Sequence, residues 1–477
     1  MRKAKIICTI GPASDSEKHL KALIENGMNV ARLNFSHGDY ASHGAIIDKI
    51  RKISKQIGKN VAILQDLQGI KIRVGRLKGG KVRLNKGECI SIMTGEGTGD
   101  DKCIFVSYPW LVEAAKPGDI ILLDDGLMKL KVLKKENDSL SAEIIEGGIL
   151  KERKGVNLPL MKIKPGAFLE KDKKDLEFGI LKGIDFIALS FVRSSSDVTS
   201  LKRWLNRKGV QIPIIAKIEK EEAIKNIDAI LREVDGIMVA RGDLGVEMPL
   251  EEVPMYQKML IEKANKSGRL VITATQMLES MTWHSRPTRA ETTDVANAVL
   301  DGTDALMLSG ETSAGKYPVE TLKVMDRIIR YTEEKSKKLI KAHTPIFQQG
   351  GFFEFTEAVA HAVSHVAEDV GASWIVAFTQ SGFTARLISK FRPNAPVISF
   401  SPDEQIVRQM ALYWGIIPHY VKHIDNTDEI IKEMDTLLIK SGYAEKGDKI
   451  IIVASHPPAI SAGRTNFMKM HLVGENN

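Results

Sequence analysis

Five short runs decide the fold: Phe186-Ile187-Ala188-Leu189-Ser190, Ile214-Ile215-Ala216-Lys217, Ile237-Met238-Val239-Ala240-Arg241, Val271-Ile272-Thr273-Ala274-Thr275 and Leu306-Met307-Leu308-Ser309. Each is apolar and closes on a polar residue, and the closing residues lie 27, 24, 34 and 34 positions apart. A strand plus one returning helix takes about 30 residues, so every interval reads as one βα unit. Upstream, KIICT closing at Thr9, VARLN at Asn34 and VAILQD at Asp66 keep the rhythm at intervals of 25 and 32. Only the step from Asp66 to Ser190, 124 residues, breaks it. Eight units with one interruption predict a (β/α)8 TIM barrel from residues 1–73 and 155–340. The connecting helices carry their own signals. Ser14-Asp15-Ser16-Glu17 reads as a capping box, Leu20, Leu23 and Ile24 share a face, and Gly27 stands where a helix ends.

Residues 74–154 follow another pattern. KVRLN, ECISIM, DIILL, KLKVL and LSAEII have strand lengths, and Asp125-Gly126 marks a hairpin. This predicts an inserted small all-β domain, β-barrel-like and hinged to the main barrel, able to serve as a lid that excludes water. In residues 341–477 a helical EAVAHAVSHVAEDVGA precedes the strands WIVAFT, PVISF and DKIIIVAS, the pattern of a C-terminal doubly wound α/β domain.

Composition narrows the function. The chain has 477 residues, 43% hydrophobic and 27% charged, the balance of a soluble globular protein. Lys and Arg number 68 against 60 acidic residues, a net charge of +8, which favours anionic partners. The basic residues are interleaved with acids, so anionic metabolites fit better than nucleic acid. Cys8, Cys89 and Cys103 have no metal-ligand spacing and read as free thiols of a reducing compartment. No signal-peptide pattern opens MRKAKIICTIGP and no run approaches a membrane span, so a cytoplasmic location is expected.

Barrel enzymes build their sites at the C-terminal ends of the strands. Arg32, Asn34, Ser36, Asp66, Lys217, Glu219, Arg241, Asp243 and Thr275 therefore converge on one bowl. Glu219 and Asp243 close successive units and can share a cation; two oxygen ligands, with water and phosphate completing the shell, suit Mg2+. Lys217, two residues before Glu219, shares its strand face and can neutralise charge growing on a substrate oxygen. Arg32 and Arg73 offer forked donors for phosphate. Gly242 lets the backbone approach a substrate carboxylate. The set points to phosphoryl or carboxylate chemistry, and spacing alone goes no further.

KIICTIGPAS, ARLNFSHG, KGVNLPL, EKDKKDL, IIAKIE, VARGDLGVE, TATQMLESM, RPTRAE and MLSGETSAGKYP resemble the motifs of the pyruvate kinase family, in the family's order, over essentially the whole chain. The resemblance implies a barrel, a β-rich lid and an α/β regulatory domain, commonly in a homotetramer. It implies transfer of a phosphoryl group from phosphoenolpyruvate to ADP, giving pyruvate and ATP, the last step of glycolysis. Glu219 and Asp243 match the Mg2+ ligands, where Mn2+ can substitute. Lys217 matches the lysine that steadies the phosphoryl group and enolate, and Arg32 the phosphate-binding arginine. Gly242, Asp243 and Thr275 match substrate-holding positions, with Thr275 close to proton delivery and Ser309 and Glu311 as further relay residues. Arg73, Lys154 and His37 match nucleotide contacts. Thr379, Ser381, Gly382 and Thr384 follow a strand and open a helix, where the family binds a phosphorylated allosteric effector. After Gly463-Arg464-Thr465-Asn466 the extra C-terminal domain of some relatives is not expected.

One motif departs. Many relatives carry Asp-Thr-Lys-Gly-Pro-Glu-Ile-Arg after the third strand and need K+; here it reads Asp66-Leu67-Gln68-Gly69-Ile70-Lys71-Ile72-Arg73. Lys71 replaces the glutamate, and its ammonium can stand in for K+, as in the K+-independent branch. Asn34, Ser36, Asp66 and Leu67 still match the monovalent-cation pocket, which need not be essential. Two other readings share parts of this set: a metal-dependent carbon–carbon lyase acting on pyruvate-like enolates, and a non-catalytic metabolite sensor. The first has no need of a nucleotide-bearing lid, and the second would be favoured by loss of Lys217, Glu219, Asp243 or Thr275, all of which are present.

Overall fold

The computed structural model describes residues 1–159, 161, 164, 166–336, 353–422, 427–455 and 465–475. The eight apolar runs form one closed parallel barrel. Its strands are β1 (Lys5–Thr9), β2 (Val30–Asn34), β3 (Ala62–Asp66), β4 (Phe186–Leu189), β5 (Ile214–Ile218), β6 (Gly236–Ala240), β7 (Leu270–Ala274) and β8 (Ala305–Leu308). Sequential strands pair side by side, and β1 closes the ring with Lys5 opposite Ala305. Strands covered on both faces read as continuous apolar runs. Ile7, Leu64, Ile215, Met238 and Met307 fill the barrel, whereas Ile6, Ile63, Ile214, Ile237 and Leu306 pack in the layer shared with the helices. The same two-residue period sets Arg32 above Val30, Asp66 above Leu64 and Lys217 above Ile215, so charged side chains crown an apolar filling.

The first helix, Glu17–Glu25, buries Leu20, Leu23 and Ile24 as expected, but its cap differs from the sequence reading. Ser16 is the N-cap and accepts from His19 N at 3.3 Å. Ser14 is fully buried and bonds instead within its own turn, where its Oγ accepts from Gly11 N at 3.3 Å, so the box from Ser14 to Glu17 does not form.

Between β3 and β4 lies a six-stranded sheet, ordered Val156–Asn157, Ile120–Leu123, Met128–Lys135, Ser139–Glu146, Cys89–Thr94 and Cys103–Val106. Alternating residues such as Ile90, Ile92, Ile104, Leu130 and Ala142 form its separate core. Asp125 and Gly126 do sit in a hairpin, where Asp124, Asp125 and Gly126 all have positive φ of 53°, 55° and 85°. The two chain crossings into this unit run together: Val74 N donates to Lys154 O at 2.9 Å, and Arg73 bridges to Gly155.

The C-terminal unit is a five-stranded sheet ordered Ile416–Tyr420, Val397–Ser401, Trp374–Phe378, Lys449–Ala454 and Phe467–Leu472, parallel except for the last strand. The two edge strands were not anticipated, because Pro418 and the polar Lys469 and His471 interrupt their patterns; proline is tolerated at a sheet edge. This unit docks on the N-terminal ends of the barrel strands. Lys390 and Arg392 both pair with Asp304, Arg408 pairs with Asp185, and Lys5 Nζ donates to Ile416 O at 2.7 Å. Gly463 and Arg464 lie outside the described residues. Among the described residues no helix is long and apolar enough to cross a membrane.

Candidate active site

The C-terminal ends of β2, β3 and β5 place Arg32, Asp66 and Lys217 inside one charged ring. Arg32 sends Nε and Nη2 to Asp66 Oδ2, both at 2.7 Å, and Nη1 to Thr9 Oγ1 at 2.9 Å. Nε and Nη1 are thereby engaged in hydrogen bonds, and the other guanidinium protons are left to meet an anion. Lys217 Nζ lies 3.3 Å from Asp66 Oδ1 and 2.8 Å from Glu219 Oε1, and donates to Ser190 Oγ at 2.8 Å. Ser190 then donates to Leu67 O at 2.7 Å. Asp66, Ser190 and Glu219 are buried, and the Lys217 side chain is 11% exposed.

Burial alone would discharge this ring; pairing prevents it. Against burial, Lys217 and Arg32 hold the Asp66 carboxyl below its ordinary value. Lys217, although buried, is raised by Asp66 and Glu219 and stays an ammonium. Glu219 goes the other way: burial, then the neighbouring Asp243 charge, push it up against the pull of Lys217. Its Oε2 accepts from Phe191 N at 2.7 Å, and Phe191 has a φ of 54°.

Asp243 lies in the first turn of the helix Arg241–Glu247 and takes no hydrogen bond from any described residue. It lines a cleft of about 90 Å³ with Lys71 and Lys220 on the barrel side and Asp125, Gly155 and Asn157 on the lid side. Hard carboxylate oxygens from successive strands, one without a donor and both repelling, are a donor set that fits a small divalent cation. Among the described residues no three His, Cys, Asp or Glu side chains cluster, so such a cation would take its other oxygens from water and substrate.

Thr275 follows β7, beside the Gly242-Asp243 turn, with φ 69°, an outlier for a β-branched residue. Its Oγ1 donates to Ala274 O at 2.6 Å and accepts from Gly242 N at 2.8 Å. The Gly242 amide is thus turned to Thr275. Arg241 points away from the bowl and braces this loop, reaching Asp294 Oδ1 at 2.6 Å and Thr275 O at 2.7 Å. Among the described residues Ser309 Oγ is buried without a partner, while Glu311 accepts from Leu278 N at 3.1 Å and Ser309 N at 2.6 Å.

Arg73 and Lys154 flank the two chain crossings into the inserted β-unit. Arg73 Nη1 donates to Arg153 O at 2.8 Å, and Lys154 pairs with Asp124 at 2.7 Å, which raises the lysine. His37 is lowered by burial and by the cations Lys71, Arg73 and Arg32, a positive patch suited to phosphate. Lys71 is itself lowered by burial and Arg73. Asn34 stands opposite Asp66 in register; its Oδ1 accepts from Ser36 N at 3.1 Å, and Leu67 O is taken by Ser190. Far from this bowl, Gly382 precedes the helix Phe383–Lys390 with φ 76°, Thr379 and Thr384 are buried, and Thr384 Oγ1 meets Thr465 Oγ1 at 2.5 Å. Ser381 beside them is exposed.

Sequence reasoning missed the junction made by Ser190. Its signal was present, since it closes β4 as Lys217 and Asp66 close theirs, but a serine carries no charge to draw notice.

A (β/α)8 barrel with a charged ring and paired carboxylates at its mouth, beside an inserted β-unit, is the architecture of a barrel enzyme suited to an anionic substrate. Family models named "Pyruvate kinase, barrel domain" and "Pyruvate kinase, alpha/beta domain" match residues 1–322 and 357–471. The chain belongs to the pyruvate kinase family. It is 48% identical to a pyruvate kinase of Sporosarcina psychrophila over 478 residues, covering 100% of this chain and 81% of the relative. It is 46% identical to one from Geobacillus stearothermophilus over 479 residues, covering 99% and 81%. A solved pyruvate kinase from Cryptosporidium parvum superposes with a TM-score of 0.90 at 37% identity, over 99% of this chain and 96% of that one.

Proposed function

We propose that this chain transfers the phosphoryl group of phosphoenolpyruvate to ADP, using Mg2+ held by Glu219 and Asp243 and needing no K+. The carrying observation is the Lys217 ammonium gripped by Asp66 and Glu219 beside a cleft lined by Asp243. Phosphoryl transfer depends on positioning and charge neutralisation, which this ring is built to supply. The bound cation would act as a Lewis acid on phosphate and enolate oxygens.

The chain's own residues do the rest. Arg32, held by Asp66 and Thr9, offers its remaining guanidinium protons to the phosphate. Lys217 neutralises charge on the transferring group and the enolate. Gly242, Asp243 and Thr275 hold the substrate carboxylate end, and the Thr275 side of the bowl, with Ser309 and Glu311 behind it, returns the proton. Arg73, Lys154 and His37 receive the nucleotide as the lid, residues 74–154 together with the strand Val156–Asn157 that completes its sheet, closes. Thr379, Ser381, Gly382 and Thr384 form a cradle for a phosphorylated effector. We read the assembly as a homotetramer, and the edge strand Phe467–Leu472, where Met468, Met470 and Leu472 are 36%, 62% and 38% exposed, supports pairing between copies. We place the enzyme in the cytoplasm.

Lys71 carries the claim about K+. Its ammonium feels both Asp243 and Lys217, and although burial and Arg73 lower it, a positive charge there repels a second cation. The test is pyruvate formation from phosphoenolpyruvate and ADP with Mg2+ in buffer stripped of K+ and NH4+. Full turnover is expected, unchanged by added K+, and Lys71→Glu should become K+-dependent. A Lys71→Glu enzyme fully active without K+ would discard the account of Lys71 and leave the reaction standing. Absence of turnover in every buffer would discard the reaction.

A further inference from the structure

At the lid side of the cleft, one carboxylate oxygen is shared across the domain boundary. Asn157 Nδ2 donates to Glu247 Oε1 at 3.2 Å, and Lys220 Nζ meets the same oxygen at 2.5 Å. The Glu247 and Lys220 side chains are 3% and 9% exposed. Asn157 belongs to the lid sheet, opposite Leu122, whereas Lys220 follows β5 and Glu247 ends the Arg241–Glu247 helix. The lid hairpin reaches the same helix, since a Cβ on Gly126 would stand 3.6 Å from Val246 Cγ1.

Each member borders something the reaction uses. Lys220 follows Glu219, Glu247 closes the helix that begins with Arg241, Gly242 and Asp243, and Asn157 lies three residues beyond Lys154. A lid that opens must release the bond from Asn157, yet Glu247 then keeps its partner in Lys220. No buried charge is stranded, so the lid-side bond can break and re-form in every turnover without the large penalty of an unpaired carboxylate.

We propose that Asn157, Glu247 and Lys220 form a latch that holds the lid shut over the nucleotide end of the cleft, with Asn157 and Glu247 as positioning residues for ADP. The proposal rests on the reading of Arg73 and Lys154 as nucleotide contacts. Losing one hydrogen bond to a carboxylate in the closed state alone raises the KM for ADP about three- to tenfold in Asn157→Ala, while kcat and the KM for phosphoenolpyruvate move less than about twofold. Asn157→Asp sets a second carboxylate against Glu247 and raises the ADP KM further. Adding Glu247→Gln to Asn157→Asp reverses donor and acceptor, the new amide donating to the new carboxylate, and brings the ADP KM back toward wild type.

Steady-state kinetics with each substrate varied in turn decide it. An ADP KM unchanged in both single variants overturns the latch. So does a fall in kcat with no change in KM, which is what mere loss of folded enzyme gives, and so does a double variant no better than Asn157→Asp. Arg73→Ala, measured alongside, keeps the two claims apart. If it leaves the ADP KM unchanged, the nucleotide reading fails. If it raises that KM while Asn157→Ala does not, the latch fails alone.

Discussion

At Asp66 two cations meet one carboxylate: Oδ2 takes two guanidinium contacts from Arg32 at 2.7 Å and Oδ1 faces Lys217 at 3.3 Å. The carboxylate is 1% exposed, so water cannot replace it. Asp66→Asn keeps the shape and removes the charge, leaving two cations in the barrel with only Glu219 between them. Breaking a buried pair from one side destabilises by about 3–5 kcal/mol. Urea unfolding should show a loss of that order, and a loss below about 1 kcal/mol would mean that water enters the ring. Lys217 and Glu219 were legible as a pair because two residues apart on a strand means one face. That Ser190 joins Lys217 to Leu67 was not legible, because the three lie at the C-terminal ends of separate strands and meet only when the barrel closes.

Among the elements, the barrel strands were legible because both their faces are buried, which leaves little room for polar residues inside them. Capping was less so: Ser14 and Ser16 carry the same hydroxyl, and only the path of the chain from Gly11 to Ser14 decides which one faces the helix. Close packing at β6 gives a test at this scale. A Cβ on Gly236 would lie 2.7 Å from Leu270 Cβ and 2.8 Å from both Ile215 Cδ1 and Leu270 O. Because backbone on β7 cannot give way, Gly236→Ala should lower stability by about 1–3 kcal/mol, read from the denaturant midpoint. A variant as stable as wild type would show that the strands can spread at this point.

Across the whole molecule, the barrel base and the C-terminal unit are joined by buried charge. Lys390 and Arg392 share Asp304, with Lys390 fully buried and pushed down to about 8 by burial. Lys5, pushed down to about 7 by burial and then by Arg2, holds Ile416 O. A lysine whose folded value lies below its unfolded value of about 10.4 loses its proton first in the folded state, so stability rises with pH between the two values. Lys5→Met removes that titration. The stability of wild type relative to Lys5→Met should therefore climb from pH 7 toward pH 10 in thermal melts. A difference flat across that window would show that Lys5 stays charged in place.

The order and number of the barrel strands, the inserted β-unit and the residues at the strand ends were settled by sequence alone, because alternation and βα spacing are local properties of the chain. The edge strands Ile416–Tyr420 and Phe467–Leu472, the cap at Ser16, the ring through Ser190 and the bond from Asn157 to Glu247 were decided by tertiary structure. Each depends on which distant segments come within about 3 Å, and hydrogen bonds of that length leave no periodic trace in a sequence.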